Sequence, residues 1–176
     1  GKAAGGRVEF DDPALFVYLK QRYERLLDLN PGARGLILTF HESGARIFQN
    51  RTVSSRLSVP ERIVKLTSLI DGVVRARKQK LMIRNFFYEP KEILWFEEAL
   101  KSLPKDLLLM RKDTCHEFNP FYPADPLHGQ SGREELIELD LGVEKALGWG
   151  GHYAQVEHIR QFVTRARERK MAGVLG

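Results

Sequence analysis

"GLILTFHESG", residues 35–44, decides the fold. Its first six residues form an apolar run without period-2 alternation, the pattern of a strand buried on both faces of a parallel sheet. Its last residues hand His41, Glu42 and Ser43 to a loop at the strand's carboxyl end. Upstream, Asp12 is placed to cap a helix with Pro13 in its first turn, and Phe16, Leu19, Tyr23, Leu26 and Leu27 recur at helical spacing as far as Pro31. Downstream, the polar stretch 49–58 leads to Ser58–Glu61, which reads as a capping box with Pro60 inside it. The helix it opens has Ile63, Leu66, Ile70 and Val74 on its apolar face.

The same alternation continues to the end of the chain. A strand is expected over "KLMIRNFFY" (80–88), then a helix in "PKEILWFEEALKSL" with Ile93, Leu94, Phe96 and Leu100 inward, then a strand in "DLLLMRK" (106–112). A Pro-rich aromatic loop precedes a fourth strand, "LIELDLG" (136–142). The Gly-rich "GWGGHY" leads to a last helix with Val156, Ile159, Phe162, Val163 and Ala166 inward, and "AGVLG" begins a fifth strand. Strands separated one by one by helices define an α/β class with a parallel sheet. The first strand-to-helix turn has no GxGxxG, and "GWGG" lacks its spacing, so a dinucleotide fold has no support.

Composition narrows the function. With 176 residues and 43% hydrophobic content the chain is expected to be one soluble globular unit spanning 1–176. The apolar runs are too short to cross a bilayer, and residues 1–20 lack a signal-peptide pattern, which leaves the compartment undetermined. Cys115 is the sole cysteine, so neither a disulfide framework nor a thiolate zinc site is expected. The histidines show no HExxH or paired ligand spacing, and no metal or other cofactor is expected. The net charge of +5 is concentrated in "RARKQK" (75–80) and "RARERK" (165–170). Both runs end amphipathic helices, where cations suit the helix carboxyl terminus and a solvated face, and no nucleic-acid-binding motif accompanies them.

Every expected strand carries polar groups to its carboxyl end: Glu42 after the first, Arg84 and Asn85 in the second, Lys112 in the third with His116 and Glu117 following, and Asp140 and Glu144 at the fourth. In a (β/α)8 barrel these ends converge on the face that holds the chemistry.

The succession "FHESG" (40–44), "MIRNFFY" (82–88), "RKDTCHEFNPFYPADPLHG" (111–129) and "IELDLGVEKALGWG" (137–150) resembles strands four to seven of the α-glucuronidases of glycoside hydrolase family 67. There a strand-end Ser-Glu-Gly carries the catalytic acid. A Trp-Arg-Ala-Phe-Val-Tyr strand, a Lys-Asn-Gly-Pro-x-Asp-Phe-Gln segment and a Glu-Tyr-x-Gly follow in order. The resemblance covers roughly 35–155 and implies that this chain is the carboxyl-terminal part of a TIM barrel, strands four to eight. The remainder of the barrel would then be supplied by a longer chain, since a partial sheet has edges that need cover.

The resemblance further implies hydrolysis of a uronic-acid-containing oligosaccharide by acid/base chemistry with inversion. Glu42 would be the general acid, with His41 beside it to tune its protonation. Glu117 or Glu144 would be the base, at the separation of about 6.5–9.5 Å that leaves room for a water. Arg84 and Lys112 match the basic residues near the substrate carboxylate, and Trp149 and Tyr153 are candidates to stack on sugar rings. Glu117 stands where the family has Asp, and Ile83 where it has Trp, so substrate scope is expected to differ. Two other readings remain: a non-catalytic barrel that binds an anionic sugar, and a barrel enzyme that binds a phosphate ligand at "GWGGHY". Arg84, isolated on an apolar strand, could instead serve a structural ion pair with Glu117 or Glu42, and Lys112 could belong to an ordinary cluster with Arg111 and Asp113.

Overall fold

The computed structural model describes residues 7–41, 45–87, 89–113, 123–139 and 156–176. Its main element is a five-stranded sheet built from β2 (Gly35–Thr39), β4 (Lys80–Arg84), β5 (Leu108–Lys112), β6 (Glu135–Glu138) and β7 (Gly173–Leu175). These strands lie side by side in chain order and every pair is parallel. Helix α1 (Pro13–Asp28) precedes β2, α2 (Val59–Arg75) lies between β2 and β4, α3 (Pro90–Lys101) between β4 and β5, and α4 (Val156–Glu168) between β6 and β7. The expected α/β alternation is therefore present.

Sequential order has a physical consequence. Parallel crossovers are right-handed, so a sheet that never reverses its order receives successive helices on one face. A doubly wound sheet reverses and covers both faces. Here α2 packs against β2 and β4 and touches α1 and α3, while α4 packs against β6 and β7. Strand residues alternate accordingly. Leu38, Leu81, Ile83, Leu109 and Ile137 are buried against the helices, whereas Ile37, Met82, Arg84, Leu108, Lys112 and Glu138 point to the far face, on which none of the described helices packs.

Local chemistry sets the helix starts. The Asp12 carboxylate accepts from the Ala14 amide at 2.8 Å and opens α1. Ser58 and Glu61 form the expected capping box at α2: Glu61 accepts from the Ser58 amide at 2.7 Å, and Ser58 in turn accepts from the Glu61 amide. At α3 the Glu92 carboxylate reaches back to the Glu89 amide at 3.2 Å. Burial of Ile63, Ile70, Val74, Phe96, Leu100, Phe162 and Ala166 follows the expected helical faces. Leu94 and Val156, expected inward, and Leu26, part of the helical spacing of α1, are exposed instead.

Two strands are shorter than their apolar runs. β4 stops at Arg84 because the next residue feeds the ladder with its side chain: the Lys112 amide donates to Asn85 Oδ1 at 2.8 Å. β6 starts one residue early, at Glu135, and ends at Glu138. The polar stretch 49–58 has regular structure of its own. It contains β3 (Val53–Ser54), which pairs in parallel with β1 (Val8–Glu9) in a small second sheet. Asp11 accepts from the Arg56 amide at 2.7 Å, and the buried Arg62 guanidinium donates to Leu57 O and Asn50 Oδ1, each at 2.9 Å.

Candidate functional site

The far face of the sheet changes character along the strands. Toward their amino ends it presents Ile37, Met82 and Leu108, and at their carboxyl ends it turns ionic. Arg84 on β4 and Lys112 on β5 lean toward Glu138 on β6. Arg84 Nε donates to one carboxylate oxygen at 2.6 Å and Nη2 to the other at 2.8 Å, a bidentate grip. Lys112 Nζ adds a third contact at 3.2 Å. The Phe86 ring, just past the end of β4, lies 5.4 Å from the Arg84 guanidinium carbon and 5.3 Å from Lys112 Nζ, so both cations face one aromatic surface. All three charged side chains are mostly buried. Burial alone would raise the Glu138 pKa, but the hydrogen bonds and charges of Arg84 and Lys112 outweigh it and hold the carboxyl below its ordinary value. Glu138 is thus a fixed anion at neutral pH, able to accept hydrogen bonds or balance positive charge and unsuited to donating a proton.

Arg84 and Lys112 lie side by side, each in contact with the same carboxylate. The carboxylate that joins them is Glu138, which sequence reasoning passed over. The available signal was period 2: Glu138 shares the face of Leu136 and stands opposite Lys112 in register. His41 is fully buried, stacked on Phe48 at a ring separation of 4.6 Å, with Nε2 3.1 Å from the Glu92 carboxylate at the start of α3. Its pKa is lowered chiefly by burial, against the opposing pull of Glu92. The Phe86 ring also meets His41, edge to face, with 6.1 Å between ring centres. Glu42, Glu117, Glu144, Trp149 and Tyr153 lie outside the described residues.

A second ionic cluster sits on the helix side of the same strands. Arg111, fully buried, donates to Glu135 on β6 at 3.2 Å and to Glu97 on α3 at 2.8 Å, with Asp125 at 3.6 Å. Burial would weaken its charge, but the three carboxylates overcome this and raise its pKa. Glu135 also accepts from the Gly129 and Ser131 amides at 2.7 and 3.1 Å, and Asp125 from the Leu127 amide at 2.8 Å. Arg111, set beside Lys112 as an ordinary charge cluster, is therefore a core tie between loop, sheet and helix.

The neighbouring histidines have assigned jobs. His128 Nε2 lies 2.8 Å from Lys112 O, while Arg165 donates to Nδ1 at 3.1 Å. An arginine can only donate, so Nδ1 is unprotonated and Nε2 carries the hydrogen; burial, the main cause, likewise lowers the His128 pKa. His158, near the start of α4, meets the Asp113 carboxylate at 2.8 Å and anchors that helix to the end of β5. Part of the first basic run is occupied too: Arg75 pairs with Asp71 and Asp106, and Arg77 with Asp28.

Among the described residues no three His, Cys, Asp or Glu side chains gather as a metal site, and no helix is long and apolar enough to cross a membrane. No protein-family model, characterised protein or solved structure matches this chain.

Proposed function

We propose that the chain is the carboxyl-terminal part of a (β/α)8 barrel glycoside hydrolase, α-glucuronidase-like, that cleaves a uronic-acid-containing carbohydrate with inversion. The observation that carries this reading is the grip of Arg84 and Lys112 on the carboxylate of Glu138, at the carboxyl ends of sequentially ordered parallel strands. A guanidinium fork and an ammonium that close on one planar carboxylate are complementary to another. A uronate carboxylate bound beside Glu138 would place the sugar over the strand ends. There Glu42 serves as general acid and Glu117 or Glu144 as the base that activates water. Glu138, ionised and held, orients the Arg84 fork.

The test is hydrolysis of an aryl α-glucuronide beside the matching neutral α-glucoside, by the longest available form of the protein. Cleavage of the uronide alone is expected, with a loss of roughly 100-fold or more in kcat for Glu42→Gln and a raised KM for Arg84→Gln. Equal turnover of both substrates would remove the carboxylate site from the reading. Uronide binding without turnover would leave an anionic-sugar-binding barrel, and competition by inorganic phosphate would favour a phosphate ligand.

A further inference from the structure

Lys112 is held through its main chain as well as through its ion pair. Among the described residues, the last main-chain rung between β4 and β5 is the Asn85 amide on the Met110 carbonyl, at 2.9 Å. In a parallel ladder the next rung would bring the Lys112 amide to the Asn85 carbonyl. That amide donates instead to the Asn85 side chain, at Oδ1, at 2.8 Å, and the Lys112 carbonyl accepts from His128 Nε2 at 2.8 Å. Two side chains thus take over both main-chain polar groups of one residue. β4 is released after Asn85, and the Phe86 ring faces Arg84 and Lys112.

Both side chains are themselves braced. Asn85 and His128 are buried, and Asn85 Nδ2 donates to the Asp125 carboxylate at 3.3 Å. That carboxylate also accepts from the Leu127 amide and lies beside Arg111. From α4, Arg165 donates to His128 Nδ1 at 3.1 Å and to the Asp125 carbonyl at 3.2 Å. The turn at residues 125–128 therefore ties the ends of β4 and β5 to α4. Packing alone needs neither an amide nor an imidazole here, since apolar side chains fill buried space with no polar atoms to satisfy. A lysine, by contrast, has a flexible four-carbon stem, and its ammonium acts as a fixed point charge only when the base of that stem stays still.

We propose that Asn85 and His128 are positioning residues: they hold the Lys112 main chain so that its ammonium closes on Glu138 beside Arg84. Resting on the reading of Arg84 and Lys112 as the uronate-carboxylate site, they thereby set affinity for the substrate. The first probe needs no substrate. Acetylation of Lys112 by N-hydroxysulfosuccinimide acetate is timed by peptide mass spectrometry, with the well-exposed Lys20 and Lys101 as internal standards. The buried Lys112 ammonium should react slowly in the wild type. Its rate is expected to rise severalfold in Asn85→Ala and His128→Leu. It should stay at the wild-type value in His128→Gln, which keeps a donor near the Nε2 position, and in Gly35→Ala, which perturbs the opposite end of the sheet. Unchanged rates in Asn85→Ala and His128→Leu, or an equal rise in all four variants, overturn the proposal. The second arm is hydrolysis of the aryl α-glucuronide. Asn85→Ala and His128→Leu should raise KM roughly tenfold, the worth of about one charge-assisted hydrogen bond, with kcat held within about twofold, while His128→Gln keeps the wild-type KM. A loss confined to kcat overturns the assignment to substrate affinity. A wild-type chain that ignores the uronide removes the glycosidase reading instead, and faster acetylation of Lys112 in Asn85→Ala and His128→Leu would still uphold the positioning role.

Discussion

Replacing Arg111 with Met removes the cation shared by two buried carboxylates, Glu135 and Asp125, and a partly exposed one, Glu97. The apolar side chain fills much of the same volume, so the loss is electrostatic. Taking one partner from a buried ion pair costs about 3–5 kcal/mol because the other charge stays desolvated. Two features put the expected cost near the lower end. Glu97 can turn to water, and Glu135 keeps the Gly129 and Ser131 amides as donors. A loss of about 3 kcal/mol, with a urea dependence of about 2 kcal/mol per molar for a protein of this size, lowers the unfolding midpoint by about 1.5 M. Urea titration followed by circular dichroism reads this directly. In the Arg111→Met background, Glu135→Gln should recover about 1 kcal/mol, because an uncharged amide needs no counter-ion. A midpoint shift below about 0.3 M in the single variant, or strict additivity in the double, would refute the idea that the cluster is held by charge.

Two further outcomes follow from the same structure. His41 and His128 both titrate below the ordinary histidine range, mainly through burial. The folded chain therefore binds fewer protons than the unfolded one once the pH drops below about 6.5, and stability present above that value is lost as the pH falls toward the folded pKa values. Each histidine contributes a slope of up to about 1.4 kcal/mol per pH unit. Urea midpoints between about pH 7 and 5.5 should fall, and less steeply in His128→Gln; a pH-independent wild-type midpoint there would sink the argument. Gly35→Ala tests the β2–β4 register. A Cβ at residue 35 would sit 1.9 Å from the Lys80 carbonyl oxygen, a backbone atom that cannot step aside, so a cost of about 2 kcal/mol or more is expected. A loss under about 0.5 kcal/mol in the same titration means that the strands do not approach as described.

The sequence by itself determined the elements. Caps at Asp12 and Ser58, helical spacing in α2 and α3, and unalternating apolar runs at 35–40 and 106–112 are local patterns. They depend on groups a few residues apart, and they reappear with ends shifted by a few residues. Arg84 and Lys112 were legible for a related reason. A charge on an otherwise apolar strand must be answered by something, and both lie at strand ends. What answers them was decided only by tertiary structure. Glu138 is 54 residues from Arg84, and nothing local links them. They meet because the strands line up in chain order and the pleat turns alternate residues of β4, β5 and β6 to one face. The division between Lys112 and Arg111 arises in the same way. As neighbours in the chain they look like one charge cluster, but the period-2 geometry of β5 sends one to the candidate site and the other into the core, where it holds the fold together.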